Sequence, residues 1–360
     1  MSKVNLLSLF NALVQNGTVP TLQKENINEF VIGKNYFYQI VTNEKFVHAQ
    51  NVINKVFQEA IPINNAAVAF RKKLSYLHLF EPHSKNYHFL RLDIKSFFHS
   101  VNINDVRSVF QAYFEEDYID EYMMQSLLDA FINIVTYKVP DDSPNEIFRG
   151  KEILPMGFVT SPVISNIIFR QLDIQIQKLC FSKQIIYTRY ADDMLFSMDK
   201  SNSYVHSESF INEISIILSQ MNFKLNKNKT VKAKHTISLN GYTIQYSRFE
   251  KESKENQINE VRLSNKKLQV IKKLIHYIEI ENIHPKVILK KLFNYTLPLG
   301  IPVEKLPIYY NHQLLNKLTG YRSYLVSFIK FNDQYKCAQE STIKKYLDLI
   351  CDLDRIIGTL

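Results

Sequence analysis

The sequence predicts an α+β protein, in which a body of mixed strands and helices is followed by a basic, mainly helical C-terminal region. The chain has 360 residues, of which 46% are hydrophobic, enough to bury about one to three compact subdomains. Strand-type runs occur at residues 87–94 and 185–198. Beyond Lys251 the apolar residues recur almost wholly at helical spacing.

The first third of the chain mixes helical patterns with one predicted hairpin at residues 36–48, centred on the turn-prone residues 42–44. A strand is predicted at residues 87–94, where apolar residues alternate with Arg91 and Asp93. This period of two sends Asp93 to the face opposite the apolar one, where we expect it to be available for chemistry.

The middle of the chain contains several local signals. Two prolines and three acidic residues predict a surface loop at 139–146. A helix is predicted over 162–180, because Ser161 and Pro162 are a typical start and apolar residues follow at helical spacing. Residues 185–198 predict two strands around a short turn, and the pair at 240–241 is a strong hairpin signal.

The net charge indicates a polyanionic partner. It is +9, and residues 251–360 hold 18 Lys and Arg against 11 Asp and Glu. Basic side chains placed against phosphates release condensed counterions, so this excess favours nucleic acid. We therefore divide the chain into residues 1–250 and a basic helical region at 251–360.

The cysteines and the apolar segments bear on localisation. Cys180, Cys337 and Cys351 are too few and too scattered for a disulfide framework or a zinc site, which predicts a reducing cytoplasm. The stretch Val4–Val14 favours an amphipathic helix over a signal peptide. No run of about 18 apolar residues occurs, so no membrane partner is expected.

Three carboxylates are candidates for binding hard cations. Asp93 ends a predicted strand, and Asp192 and Asp193 lie on a predicted turn. Magnesium takes oxygen ligands in near-octahedral geometry, so such carboxylates must converge from separate strands. A pair of ions about 3.5 to 4 Å apart is what nucleotidyl transfer requires. Taken alone, the tetrapeptide Tyr-Ala-Asp-Asp at 190–193 has an alternative interpretation as a solvated turn, since aspartate is common in turns.

Five motifs in order over roughly residues 35–245 carry a family resemblance. They are RLDIKSFFHSVN, LPMGFVTSPVISN, YTRYADDMLFS, LNKNKT and LNGYTI. Together they resemble the successive motifs of retron-type bacterial reverse transcriptases, and TGYRSYLVSFI is similar to the family's thumb. The resemblance implies a right-hand polymerase with fingers and palm (an antiparallel sheet with helices) in residues 1–250 and a helical thumb after that. It also implies an RNA-directed DNA polymerase that extends a primer with deoxynucleotides.

The resemblance assigns a metal-binding role to Asp93, Asp192 and Asp193, with two Mg²⁺ ions as cofactors and Mn²⁺ as an alternative. The backbone carbonyl of Ile94 is implied as an additional ligand. Tyr190 is implied to lie beside the primer end.

Four residues are implied to contact the incoming nucleotide. Phe98 matches the family's steric gate, which predicts deoxynucleotide preference; its alternative is a core phenylalanine beside Phe97. Arg71 and Lys72 resemble the residues that clamp the triphosphate, and their alternative is a solvated charge run. Lys229 matches a lysine proposed to protonate the pyrophosphate leaving group, with a merely basic surface as the alternative.

A loop that resembles the family's template-facing and nucleotide-facing segment contains Pro155, Gly157, Ser161 and Pro162. Glycine there permits close approach of the backbone. The position usually held by glutamine is Met156, which cannot donate a hydrogen bond, so we expect altered substrate selection.

The segment Asn240, Gly241 and Tyr242 resembles the primer-grip hairpin, with an ordinary tight turn as the alternative. Two retron hallmarks are absent: an expected Asn-Ala pair is Leu79-Phe80, and the expected Val-Thr of Val-Thr-Gly is Leu239-Asn240. Both departures weaken the assignment to retrons proper and leave the polymerase assignment unchanged.

The resemblance implies a structured noncoding RNA as template and primer, a DNA product, dNTPs as substrates and a role in antiphage defence. An effector protein or a second copy of the chain is left open as a partner. One alternative is a non-retron defence reverse transcriptase that makes untemplated or repetitive DNA. Another is a polymerase-like RNA-binding protein that has lost catalysis, and an RNA polymerase is disfavoured by Phe98.

Overall fold

The structure is a computed structural model that describes residues 19–33, 35–114, 118–120, 125–246, 260–298 and 300–359. The predicted N-terminal helix and the predicted boundary at 250/251 both lie outside these residues. Among the described residues, no helix is both long enough and apolar enough to span a bilayer.

Strands and short 3₁₀ turns alternate with helices along the described chain. The strands are β1 (Ile27–Ile32), β2 (Asn35–Ile40), β3 (His88–Asp93), β4 (Tyr118–Asp120), β5 (Gln125–Ser126), β6 (Tyr137–Lys138), β7 (Glu152–Ile153), β8 (Ile186–Tyr190), β9 (Asp193–Met198), β10 (Val231–Lys234), β11 (Thr236–Leu239), β12 (Tyr242–Gln245) and β13 (Glu260–Leu263). The helices are α1 (Glu44–Ala60), α2 (Ile103–Gln111), α3 (Leu127–Val135), α4 (Ser161–Ser182), α5 (Glu208–Ser219), α6 (Asn265–Glu279), α7 (Pro285–Phe293), α8 (Leu306–Tyr335) and α9 (Glu340–Thr359).

The described residues form two compact units. The first takes those within Met1–Leu79 and His88–Lys232, and the second takes Phe80–Tyr87 and those within Ala233–Leu360. Strands and helices mix in both, which confirms the predicted α+β class.

Strands β3, β9 and β8 of the first unit are neighbours in a four-stranded sheet, here called the central sheet, whose order is β10-β3-β9-β8. The antiparallel pair β3 and β9 places Asp93 directly opposite Asp193. Strands β8 and β9 form the hairpin predicted at 185–198, and its turn is Ala191–Asp192. The predicted strand at 87–94 is confirmed as His88–Asp93, but both of its faces are covered, so the side chain of Asp93 is almost wholly buried.

Helix α4 confirms the helix predicted over 162–180, with one additional residue at its start and two at its end. It begins immediately after the loop that carries Met156 and Gly157, and Pro162 lies in its first turn, where a missing N–H costs nothing. Its apolar side chains, including Ile164, Ile168 and Leu172, are buried in the core of the first unit.

The hairpin predicted at 36–48 is wrong. Strand β2 pairs with β1 around a turn at Gly33, whose φ is +65°, and the chain then enters α1. Asn43 caps this helix, because its side-chain oxygen accepts a hydrogen bond from the Phe46 N–H at 3.0 Å. Asparagine binds nearby backbone amides in turns and at helix starts alike, so the residue alone did not separate the two.

The second unit contains the three-stranded antiparallel sheet β11-β12-β13 and helices α6 to α9. The hairpin predicted at Asn240–Gly241 is confirmed, and both residues have positive φ, +44° and +91°. The prediction of almost wholly helical structure after Lys251 missed β13, which pairs with β12.

Candidate active site

The central sheet brings the three predicted carboxylates to one place. Asp93 ends β3, Asp193 begins β9 directly across from it, and Asp192 is in the adjoining turn. Residues opposite each other on antiparallel strands have Cβ atoms about 4.5 to 5.5 Å apart. The Ile94 N–H donates to the Asp192 carbonyl at 2.9 Å, which ties the turn to the end of β3. Residues one hundred positions apart in the chain are therefore neighbours.

Asp93 is held by two residues of the LNKNKT motif. Its Oδ1 accepts a hydrogen bond from Asn226 Nδ2 at 3.0 Å, and its backbone carbonyl accepts one from the Asn226 N–H at 2.7 Å. Its Oδ2 accepts a hydrogen bond from the half-exposed Lys229 Nζ at 2.8 Å. Lys229 thus binds a predicted metal ligand directly.

The other two carboxylates differ in their counter-charges. Asp193 accepts a hydrogen bond from Arg91 Nε at 2.7 Å. Burial raises the pKa of Asp193, and the nearby Arg91 opposes this shift. The pKa of Asp192 is raised to about 6, first by burial and then by the charges of Asp193 and Asp93. Added positive charge near Asp192 would therefore favour its ionised form.

The chemistry of this donor set fits a divalent ion, because three carboxylates meet in a largely buried place. Their side chains do not form a ready-made cage: within the described ranges, no group of three or more His, Cys, Asp or Glu side chains is arranged to hold a metal ion. Two of the three carboxylates are instead engaged by Lys229 and Arg91.

Aromatic rings gather beside the turn. Phe97 is buried against Phe169 and Phe223, whereas the neighbouring Phe98 is half-buried. The rings of Phe98 and Tyr190 lie 6.1 Å and 6.2 Å from the exposed ring of Phe70. Phe97 thus takes the core position of the pair, and Phe98 lies in the same cluster as Tyr190.

Arg71 and Lys72 directly follow Phe70 in the chain. The Arg71 Nη1 donates to the Ala67 carbonyl at 3.1 Å, and the exposed Lys72 Nζ is 3.3 Å from Glu59 Oε1. Together with Phe70 and the end of α1, they line a surface pocket.

The loop before α4 is held close to β2. The Tyr38 N–H donates to the Met156 carbonyl at 2.8 Å, and the Met156 N–H donates to His99 Nε2 at 3.3 Å. Gly157 has a φ of +115°, and a Cβ there would lie 2.5 Å from the Tyr38 carbonyl oxygen, so only glycine fits.

Two of the predicted loop residues face each other inside the protein. The buried Ser161 Oγ donates to the carbonyl of the buried Pro155 at 2.6 Å. This hydrogen bond joins the two ends of the loop, so the described contact of Pro155 and Ser161 is within the protein.

The predicted primer-grip residues belong to the second unit. Tyr242 is buried there, and its ring packs 4.9 Å from that of Tyr324 and 6.0 Å from that of Phe80. Burial raises the pKa of Tyr242 to about 12. A Cβ added to Gly241 would lie 2.9 Å from the Tyr324 hydroxyl, so the hairpin tip is closely packed within its own unit.

Sequence reasoning missed three residues that contact the site. Arg91 has the same parity on β3 as Asp93, so its place on the carboxylate face could have been predicted. Asn226 lies in a motif that had been identified for its lysine. Arg189 donates to the Ala191 carbonyl from a fully buried position, and no local signal indicated this contact.

Comparison with known proteins identifies similar sequences. Residues 38–244 match the family described as reverse transcriptase (RNA-dependent DNA polymerase). The Escherichia coli retron Ec73 reverse transcriptase is 34% identical over 152 residues, 41% of this chain and 44% of that protein. The retron Ec86 reverse transcriptase, also from Escherichia coli, is 30% identical over 46% of this chain and 44% of that protein. The matched segments thus cover less than half the length of these relatives.

A solved structure of telomerase from Candida albicans, in complex with a TWJ fragment of telomeric RNA, has a TM-score of 0.45. It is 10% identical and covers 93% of this chain and 65% of that one.

Proposed function

This chain belongs to the reverse transcriptase (RNA-dependent DNA polymerase) family, and we propose that it extends a primer with deoxynucleotides on an RNA template. The observation that carries the proposal is the convergence of Asp93, Asp192 and Asp193 at the end of the central sheet. These residues come from two of the motifs on which the family resemblance rests. Residues 1–250 are the proposed fingers and palm, and 251–360 the proposed thumb.

Members of the family generally use divalent metal ions, and we assign two Mg²⁺ ions to this chain, with Mn²⁺ as an alternative. Asp93, Asp192 and Asp193 would hold them, with the Ile94 carbonyl as a further ligand. Bound there, the ions would supply positive charge for the primer hydroxyl and the triphosphate. The contact of Lys229 with Asp93 supports a role for this lysine close to the reacting phosphates.

The half-buried ring of Phe98 is the proposed gate against ribonucleotides, supported by its position at the edge of the core and its contact with the exposed ring of Phe70. Arg71 and Lys72 are the proposed triphosphate contacts, and arginine suits this because its planar fork matches phosphate oxygens.

Further proposed contacts lie in two other segments. Pro155, Met156, Gly157 and Ser161 form the proposed template-facing and nucleotide-facing loop. Asn240, Gly241 and Tyr242 form the proposed primer-grip hairpin, with Tyr190 at the primer end.

The proposed partner is a structured noncoding RNA that serves as template and primer, in antiphage defence in the cytoplasm. Two curated relatives named as retron reverse transcriptases support it, as does the charge excess of residues 251–360. An effector protein or a second copy of the chain is a further proposed partner.

A second candidate is a defence reverse transcriptase outside the retrons that makes untemplated or repetitive DNA. Three features of the sequence favour it: Met156 replaces the usual glutamine, and the two retron hallmarks are absent. Sequencing of nucleic acid that copurifies with the protein separates the two candidates. A discrete RNA–DNA hybrid supports the retron assignment, and a homopolymer or simple repeat supports the second candidate.

The polymerase proposal is tested by replacing Asp192 and Asp193 together with asparagine and measuring incorporation of dNTPs with Mg²⁺ on RNA-primed templates. We expect incorporation to be abolished and RNA binding to remain nearly intact. The matched control is Asp199→Asn, an exposed carboxylate just after the other end of β9, which should retain activity.

The alternative is an inactive RNA-binding protein. If the wild-type protein is inert with Mg²⁺ and Mn²⁺ on varied templates, yet binds RNA, this alternative replaces the polymerase proposal.

A further inference from the structure

We propose that Arg189 is a positioning residue that fixes the turn Ala191–Asp192 relative to segment 66–71, which carries the proposed triphosphate contact Arg71. Its side chain and its backbone each bind a different one of these two parts. Arg189 would act through the residues it holds, without touching substrate or metal. The inference rests on the proposed function, since it takes this turn as metal-binding.

The guanidinium of Arg189 makes three separate hydrogen bonds. Nε and Nη2 bind the two oxygens of Asp173 at 3.0 Å and 2.8 Å, and Nη1 donates to the Ala191 carbonyl at 3.0 Å. Ala191 has a φ of +56°, a left-handed conformation that is unfavourable for a residue with a Cβ. The third hydrogen bond therefore stabilises the strained residue immediately before Asp192.

The orientation of this guanidinium is closely determined. Both Arg189 and Asp173 are fully buried, and Asp173 on α4 also accepts a hydrogen bond from the Tyr187 hydroxyl at 2.7 Å. The guanidinium carbon lies 4.3 Å from the ring centroid of Phe169 and 5.6 Å from that of Phe97. Helix α4 thus sets the direction in which the arginine reaches the turn.

The backbone of Arg189 holds the second part of the site. Its N–H donates to the Ala66 carbonyl at 2.7 Å, and its carbonyl accepts from the Val68 N–H at 2.8 Å. The Asn166 side chain on α4 donates to the Ala69 carbonyl at 2.9 Å, next to Phe70. The segment that presents Phe70 and the proposed triphosphate contact Arg71 is therefore fixed to the same strand and helix as the turn.

The chemistry of the buried ion pair between Arg189 and Asp173 favours a role in positioning the turn over a role in stabilising the fold. Burying an ion pair loses hydration that the mutual attraction only partly offsets, and apolar replacements of similar volume are often tolerated. Only the five N–H groups of arginine, in a planar fork, can bind a carboxylate with two bonds and a carbonyl with a third. Lysine at position 189 would keep the charge and lose this geometry.

The test compares wild type with Arg189→Lys and with the double variant Arg189→Met/Asp173→Asn, which removes both buried charges and leaves an acceptor for Tyr187. We expect kcat for primer extension to fall about 100-fold in the double variant, because small misplacements at a reacting centre have effects of this size. We expect its Mn²⁺ dissociation constant, measured by electron paramagnetic resonance, to rise about tenfold. Arg189→Lys should show smaller changes in the same direction.

Two readouts separate positioning from loss of folded protein. A smaller folded fraction lowers kcat alone, whereas displacement of the turn relative to the 66–71 segment also raises KM for the deoxynucleotide and weakens Mn²⁺ binding. The control Phe57→Leu, a core substitution in α1, should lower the melting temperature without changing KM or Mn²⁺ affinity per folded molecule.

The inference is overturned if the folded double variant retains wild-type kcat, KM and Mn²⁺ affinity. If that variant does not fold, Arg189→Lys decides by the same measurements. If wild type extends no primer, the proposed activity fails, but the Mn²⁺ comparison still decides whether Arg189 positions the turn.

Discussion

Replacing Asp192 with asparagine should make the metal-free protein more stable at neutral pH, although Asp192 is a proposed metal ligand. The pKa of Asp192 is raised from 3.8 to about 6 by burial and by the charges of Asp193 and Asp93. A carboxyl with a folded pKa above its unfolded value favours the fold at low pH, and this contribution is lost as the pH rises through about 6. A difference of about two pH units corresponds to about 3 kcal/mol. Asparagine carries no charge and avoids this cost.

The prediction is measured by urea unfolding in EDTA at several pH values. At pH 7.5 the free energy of unfolding of Asp192→Asn should exceed that of wild type by up to about 3 kcal/mol. At pH 4.5 the gain should shrink to about 1 kcal/mol, because the folded wild type is then protonated and only the unfolded chain ionises. The control is Asp348→Asn, an exposed carboxylate on α9. Added Mg²⁺ should stabilise wild type and not Asp192→Asn.

Two results would refute this reasoning. One is an Asp192→Asn protein that is no more stable than wild type in EDTA at pH 7.5. The other is a gain of equal size at pH 7.5 and pH 4.5, which would show that the charge of Asp192 is not its cause.

Three further predictions concern other parts of the first unit. Gly157→Ala should lower the free energy of unfolding, measured with urea, by about 2 kcal/mol or more. The control Gly33→Ala is also at positive φ, but an added Cβ there would meet nothing within 4 Å, so its loss should be smaller. Equal losses would contradict the close approach of residue 157 to Tyr38. Burial lowers the pKa of His99 to about 4, so between pH 6.5 and pH 4 the unfolded chain binds a proton that the folded protein does not. The free energy of unfolding should therefore fall by about 3 kcal/mol as the pH is lowered over that range. In urea titrations the free energy of unfolding of His99→Leu should fall less steeply between pH 6.5 and pH 4 than that of wild type. An equally steep fall would show that His99 is not the cause. Phe98→Ala should raise ribonucleotide use relative to deoxynucleotide use by about tenfold in competition assays, and an unchanged ratio would remove it as the gate.

Sequence reasoning succeeded where local chemistry decides the structure. Asn240 and Gly241 adopt positive φ at little cost, so their position between alternating apolar residues was enough to predict the hairpin. Helix α4 was predictable to within two residues, because Pro162 marks its start and its apolar spacing is regular. The paired strands on either side of Ala191–Asp192 were likewise predictable from a β-rich run interrupted by a short turn.

Local patterns failed where more distant partners decide. Asn43 makes the same side-chain-to-amide hydrogen bond in a turn and at a helix start, and only the burial of the following apolar residues selects the helix. Strand β13 has four residues, and its partner β12 ends fifteen positions earlier. Such a short segment carries too little periodicity to be distinguished from its helical neighbours.

The site shows the same division between local and distant information. The three aspartates could be identified from motifs, but the position of Asp93 opposite Asp193 depends on a pairing across one hundred residues. The partnership of Arg189 with Asp173 joins a strand to a helix and leaves no pattern in either segment alone.

Strand β2 is bound both by β1 and by the Met156 loop, which limits where residues can be inserted or deleted. Residues 35–40 pair with β1, and the Tyr38 amide also binds the Met156 carbonyl. Deleting one residue of β2 would exchange the two faces of the strand and shift its contact with the Met156 loop by about 3.3 Å. The turn at Gly33 faces open space, so natural relatives should accommodate insertions there and keep an invariant count of residues within β2.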